Sequence, residues 1–150
     1  MNKKLIVFTL SFFLLTISAL SQDKGFGIGI IAGEPTGLSL KTWTGSTVAI
    51  DAAVAWSFIN EEALHLHADL LMHRFGLINT RRGKMPVYIG LGARLKLANN
   101  TVLGARVPIG IDYMFAGGPF DLFFEVVPIL NLIPATDFDV NAAIGFRVFF

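Results

Sequence analysis

The 150-residue sequence contains no cysteine. Disulfide cross-links are therefore excluded, and so is a lipid anchor attached through a cysteine thiol. Charge is also scarce. Charged residues make up 15% of the chain, against roughly 25% in an ordinary soluble domain. Hydrophobic residues reach 53% and the mean hydropathy is +0.62. That composition excludes a disordered chain and fits poorly with an ordinary soluble one. The common catalytic signatures are missing: there is no HExxH, no GxSxG and no Walker A motif. GFGIG at 25–29 lacks the following helix that a dinucleotide fingerprint needs. Long apolar runs are absent too, except for one at the N-terminus.

That run opens the sequence as MNKKLIVFTLSFFLLTISALSQ. Lys3 and Lys4 form a positive head, Leu5 to Leu20 an apolar stretch, and Ala19 and Ser21 are small residues at −3 and −1 to a cut before Gln22. These are the three parts of a secretory signal peptide. The apolar stretch is shorter than the roughly 20 residues of a spanning helix. The expectation is a cleaved segment at 1–21 and one domain at 22–150. Without Lys3 and Lys4, the 12 Lys+Arg of the whole chain fall to 10 against 11 Asp+Glu, a formal charge of −1. Nothing in that balance suggests nucleic acid as a partner.

Past Gln22 the recurring pattern is strict alternation, the mark of a strand with two unlike faces. Phe138, Val140, Ala142, Ile144, Phe146, Val148 and Phe150 share one face, against Asp137, Asp139, Asn141, Ala143, Gly145, Arg147 and Phe149. Val87, Ile89, Leu91, Ala93, Leu95 and Leu97 oppose Tyr88, Gly90, Gly92, Arg94 and Lys96. Leu64, Leu66, Ala68, Leu70 and Met72 oppose His65, His67, Asp69 and His73. Similar splits occur at 48–58, 102–113 and 120–130, the last with Phe123 and Val127 as apolar exceptions on the polar face. Two shorter segments, FGIGIIAG and GLSLKTW, precede them. Turn signals such as GEPTG, TGST, INEE, INTRRGK, FAGGP and NLIPATD separate about eight strands. Short joints between alternating strands imply an antiparallel meander. An even number of strands lets such a sheet close with both termini at one end. Pro108 and Pro128 fall inside strands, where a closed sheet offers no free edge, so each is expected at a bulge or strand end.

Two closed architectures are possible. A soluble up-and-down barrel hides its apolar face, whereas a transmembrane barrel turns it to lipid around a polar lumen. Here the apolar face carries the bulky side chains, and the other carries Gly29, Gly90, Gly92, Gly104, Gly110 and Gly145 with scattered charges. Small residues belong on the crowded inner side of a narrow barrel. The strands also approach the ten or so residues needed to cross a bilayer with tilt. The expected fold is an all-β, eight-stranded antiparallel up-and-down transmembrane β-barrel, apolar face to lipid and lumen polar. Trp43, Trp56, Tyr88 and Tyr113 are candidates for aromatic girdles, with Trp56 and Tyr113 the best placed.

With this pattern and the ending NAAIGFRVFF, the chain resembles the small eight-stranded bacterial outer-membrane barrels, the OmpA/OmpX-like transmembrane domains. GEPTGLSLKTW also looks like the first hairpin of small outer-membrane proteins of unknown function. The resemblance implies that Ile144, Phe146, Val148 and Phe150 form a C-terminal assembly signal. It implies a location in the bacterial outer membrane, with outer-membrane lipid, the barrel-assembly machinery and periplasmic chaperones as partners. A monomer is expected.

Parity places Lys41, Arg94, Lys96, Arg106 and Arg147 in the lumen with Asp51, Asp69, Asp112, Asp121 and Glu125. Balanced charges in a narrow interior are expected to pair, because a bare buried charge is costly. A selective pore would favour one sign. In HLHAD, His65 and His67 are weak metal candidates beside Asp69. The expectation is hydrogen-bonding histidines with no bound metal or cofactor. Ser57 and His65, with Glu61 or Glu62, could approach one another as a nucleophile, base and acid, but no motif marks them. The outward loops GEPTG, INEE, ANN and NLIPATD are short, which disfavours recognition of a large surface. INTRRGK reads as a solvated periplasmic turn. The leading expectation is a structural envelope protein without catalysis. A narrow pore for ions or small solutes is the alternative, and a lipid-modifying enzyme the third.

Overall fold

A computed structural model describes residues 25–34, 36–57 and 62–150. The expected signal peptide at 1–21 and Glu61 lie outside the described residues. The described residues are all-β, with nine strands. They are β1 (Phe26–Gly33), β2 (Thr36–Trp43), β3 (Val48–Ser57), β4 (Ala63–Arg74), β5 (Val87–Leu97), β6 (Val102–Arg106), β7 (Ile109–Met114), β8 (Phe120–Ile133) and β9 (Asp137–Phe149). Every pairing is antiparallel. From β4 the pairings lead through β3, β2, β1, β9 and β8 to β6 and β7, then to β5, which pairs again with β4. One sheet thus nearly closes a ring. The first and last strands lie side by side, with Gly29 opposite Arg147.

Nine strands replace the expected eight because Pro108 splits 102–114 into β6 and β7. Gly90 N–H donates to the Pro108 carbonyl at 2.9 Å, and proline has no N–H to return the bond. The same happens one residue earlier. Val107 N–H donates to the Pro128 carbonyl at 3.0 Å, and Pro128 cannot reply. The two prolines therefore remove two ladder bonds beside each other. The break is local: β6 and β7 both lie against β5 and β8, and Arg106, Pro108, Gly110 and Asp112 all stay buried on the same face. Pro128, expected at a bulge or strand end, sits within β8 opposite Val140. The one register shift in this region falls between Leu103 and Gly104.

The alternation in sequence becomes two unlike faces. Outward-facing residues are apolar and exposed, with Ile30 at 61%, Leu91 at 66% and Phe138 at 66%. Inward-facing residues are buried and mostly charged, aromatic or small. The inner glycines make room for large neighbours. A Cβ on Gly110 would strike the Tyr88 ring and hydroxyl, and one on Gly145 would strike the Phe123 ring. At Gly29 the obstacle is backbone: a Cβ would meet the Phe146 carbonyl and lie 2.7 Å from Arg147 Cα.

Candidate functional site

The inner face of the sheet gathers the charges, and strand pairing decides which of them meet. In the group nearest the start of β1 and the end of β9, Asp121 stands opposite Arg147 in the β8–β9 ladder. Arg147 grips Asp121 through two bonds of 2.9 Å and reaches Asp112 at 3.1 Å. Two-pronged pairing of this kind is the strongest geometry open to arginine. Its guanidinium also lies over Phe123, 4.0 Å from the ring centre. That contact explains why an apolar residue occupies the polar parity at 123. Lys41 donates to Asp112 at 2.5 Å, lies 4.0 Å from Asp121 and is 2.9 Å from His73 Nε2. The Trp43 ring rests 4.5 Å from that of His73. Lys41, Asp112 and Asp121 are completely buried.

A second group lies further along the strands. Asp51 is directly opposite Asp69 in the β3–β4 ladder. Arg106 Nε is 2.9 Å from Asp69 Oδ1, and its Nη2 is 3.4 Å from Glu125. Tyr88 donates its hydroxyl proton to Glu125 at 2.9 Å. Tyr88 is only 2% exposed, so it is an interior residue and not part of an outer aromatic girdle. Trp43, tilted against the His73 ring, is half-buried, whereas Trp56 is 46% exposed. His67 joins this group, with Nε2 3.9 Å from Asp69 Oδ2.

Towards the ends that carry the β3–β4 and β8–β9 connections, Arg94 donates to Asn131 at 3.0 Å and to Asp139 at 3.2 Å. Lys96 is half-buried near the end of β5, directly opposite the buried His65. Nine of the ten charges expected inside therefore meet in ion-paired or directly facing sets, and Lys96 stands apart from them. Parity alone did not single out Tyr88, Phe123, Asn131 and Asp139 as their partners. The signal was present for Asn131, which keeps the odd-numbered inward phase of Asp121 and Glu125.

The metal-like pair in HLHAD does not stay together. The ligand atoms of Asp51, His67 and Asp69 lie within 4.8 Å of one another, and His65 is not among them. Of the catalytic trio considered from sequence, Glu61 lies outside the described residues, and so does the side chain of Ser57. Ser57 pairs with Ala63, and His65 with Ala55. Ile144 and Phe146 face outward, and Phe146 stacks on Phe120 with ring centres 5.8 Å apart. Phe150 exchanges two backbone hydrogen bonds with Phe26, at 2.8 and 3.2 Å. The terminal residue thus takes part in the seam between the first and last strands. Arg81 and Arg82 in the 75–86 connection are exposed. No protein-family model, curated protein or solved structure matches the chain.

Proposed function

We propose that this chain is a small integral protein of the bacterial outer membrane, of the OmpA/OmpX-like kind, with a structural role in the envelope and no catalysis. In this reading β6 and β7 act as one interrupted strand, and the sheet is an eight-stave barrel that crosses the bilayer. The observation that carries it is inverted polarity: an apolar exposed outer face around a buried, ion-paired interior. A soluble monomer seldom exposes a contiguous apolar patch beyond about 300–600 Å². Here apolar side chains stand exposed on all nine strands, from Phe26 to Phe146. Hydrocarbon tolerates such a wall only if its backbone groups are paired, and a ring of antiparallel strands supplies that pairing.

The interior favours a plug over a pore. Arg147 and Arg106 are 1% and 2% exposed, and their carboxylate partners Asp112, Asp121 and Glu125 are no more open. Cations and anions cross the interior to reach one another, so the space an ion would use is filled by side chains of both signs. Outer-membrane lipid, the barrel-assembly machinery and periplasmic chaperones are the partners this reading implies.

Two measurements test it. The protein isolated from membranes in detergent is run on a gel with and without boiling. A folded membrane barrel resists SDS and shifts in mobility on boiling. A protein that is soluble without detergent and shows no shift would overturn the membrane assignment. Planar-bilayer recording then separates plug from pore: the expected trace is flat, and discrete reproducible conductance steps would transfer the assignment to a narrow channel.

A further inference from the structure

The interior charges do not balance evenly. Lys41 and Arg147 face Asp112 and Asp121, two cations against two carboxylates. Arg94 faces Asp139. In the remaining group Arg106 alone faces Asp69 and Glu125, with Asp51 opposite Asp69, so one cation meets three carboxylates and two negative charges are left over. Buried charge without a partner is among the most costly features a fold can hold. Glu125 is satisfied by Arg106 and by the Tyr88 hydroxyl. The surplus therefore rests on Asp51 and Asp69. Asp51 is 5% exposed, and its Oδ1 has no hydrogen-bond partner.

A neutral nitrogen ligand faces the same space. The ligand atoms of Asp51, His67 and Asp69 lie within 4.8 Å of one another, with His67 Nε2 3.9 Å from Asp69 Oδ2. Neighbouring positions leave room for them. Gly92 is opposite Asp69, where any Cβ would collide with the Asp69 carboxylate, and Ala53 is opposite His67.

We propose that Asp51, His67 and Asp69 form a binding site for one divalent transition-metal ion, with zinc the best match. Two carboxylates and an imidazole are a familiar zinc donor set, and a fourth position would fall to water. With bonds of about 2.0–2.1 Å, tetrahedral ligands stand about 3.4 Å apart, so small side-chain rotations bring the three onto one ion. Its charge of +2 matches the surplus. Calcium and magnesium fit less well because they prefer all-oxygen ligand sets. The site faces the interior of the sheet, so it does not depend on membrane insertion.

The test uses the full-length product isolated from membranes in detergent, stripped with a chelator and titrated with Zn²⁺ against a chromophoric competitor. The expected result is one Zn²⁺ per chain, and Co²⁺ in its place should give the visible absorption of tetrahedral coordination. His67→Gln and Asp51→Asn should each weaken zinc binding at least tenfold, and His65→Gln should leave it unchanged. The boiled and unboiled gel shows which variants fold. If Asp51→Asn does not fold, His67→Gln and the wild-type titration decide. A wild-type protein that takes up no stoichiometric zinc overturns the proposal and leaves protons as the neutralising species. Zinc bound equally well by His67→Gln, or lost in His65→Gln, overturns the ligand assignment.

Discussion

Replacing Arg147 with methionine removes a residue that holds two buried carboxylates, Asp112 and Asp121, at once. Asp112 keeps Lys41 at 2.5 Å and His73 at 3.1 Å. Asp121 keeps only Lys41, at 4.0 Å. The loss therefore concentrates on Asp121, which is completely buried. Breaking a buried ion pair by removing one partner costs about 3–5 kcal/mol. The guanidinium over Phe123 adds a desolvated cation–π contact of about 2 kcal/mol, part of which the methionine side chain recovers by packing. A net loss of about 4–6 kcal/mol is expected. The double variant Arg147→Met with Asp121→Asn leaves Lys41 and Asp112 as a neutral pair and should be more stable than Arg147→Met alone by about 2 kcal/mol, a coupling within the range for contacting residues. The assay is urea unfolding in lipid vesicles, read by the gel-mobility difference between folded and unfolded protein. A single variant within 1 kcal/mol of wild type, or a double variant no better than the single, would refute the view that Arg147 and its carboxylates hold this interior together.

Two further substitutions probe the wall of the sheet. Leu91 is 66% exposed and pairs with Leu70 near the middle of the β4–β5 ladder. If that face meets hydrocarbon, Leu91→Arg should lower stability in vesicles by about 2–4 kcal/mol; an unchanged midpoint would mean that the outer face meets water. Gly29→Val places a Cβ against the Phe146 carbonyl and 2.7 Å from Arg147 Cα, both backbone of β9, where no rotamer change gives relief. It should destabilise by about 1–3 kcal/mol or more and weaken the folded band, whereas Gly45→Ala, with nothing within 4 Å, should fold like wild type.

The sequence by itself determined which face of each strand every residue takes. Successive side chains in a strand point to opposite sides, so Lys41, Asp69, Arg106 and Arg147 could be assigned inward from their immediate neighbours. Phase even survived the two prolines, because Pro108 and Pro128 delete hydrogen bonds without inserting a residue. The number of strands was less legible: the loss of two adjacent ladder bonds split one segment into β6 and β7, and those bonds depend on how the segment pairs with β5 and β8 on either side. The identity of each charge's partner was decided by tertiary structure alone. Parity is a property of one strand, whereas partnership depends on the offset between strands and on which of them lie across the interior. That is why His65 and His67, two residues apart on one face, go separate ways. It is also why Asp51, unremarkable in its own strand, comes to stand opposite Asp69 with only Arg106 to balance them and Glu125.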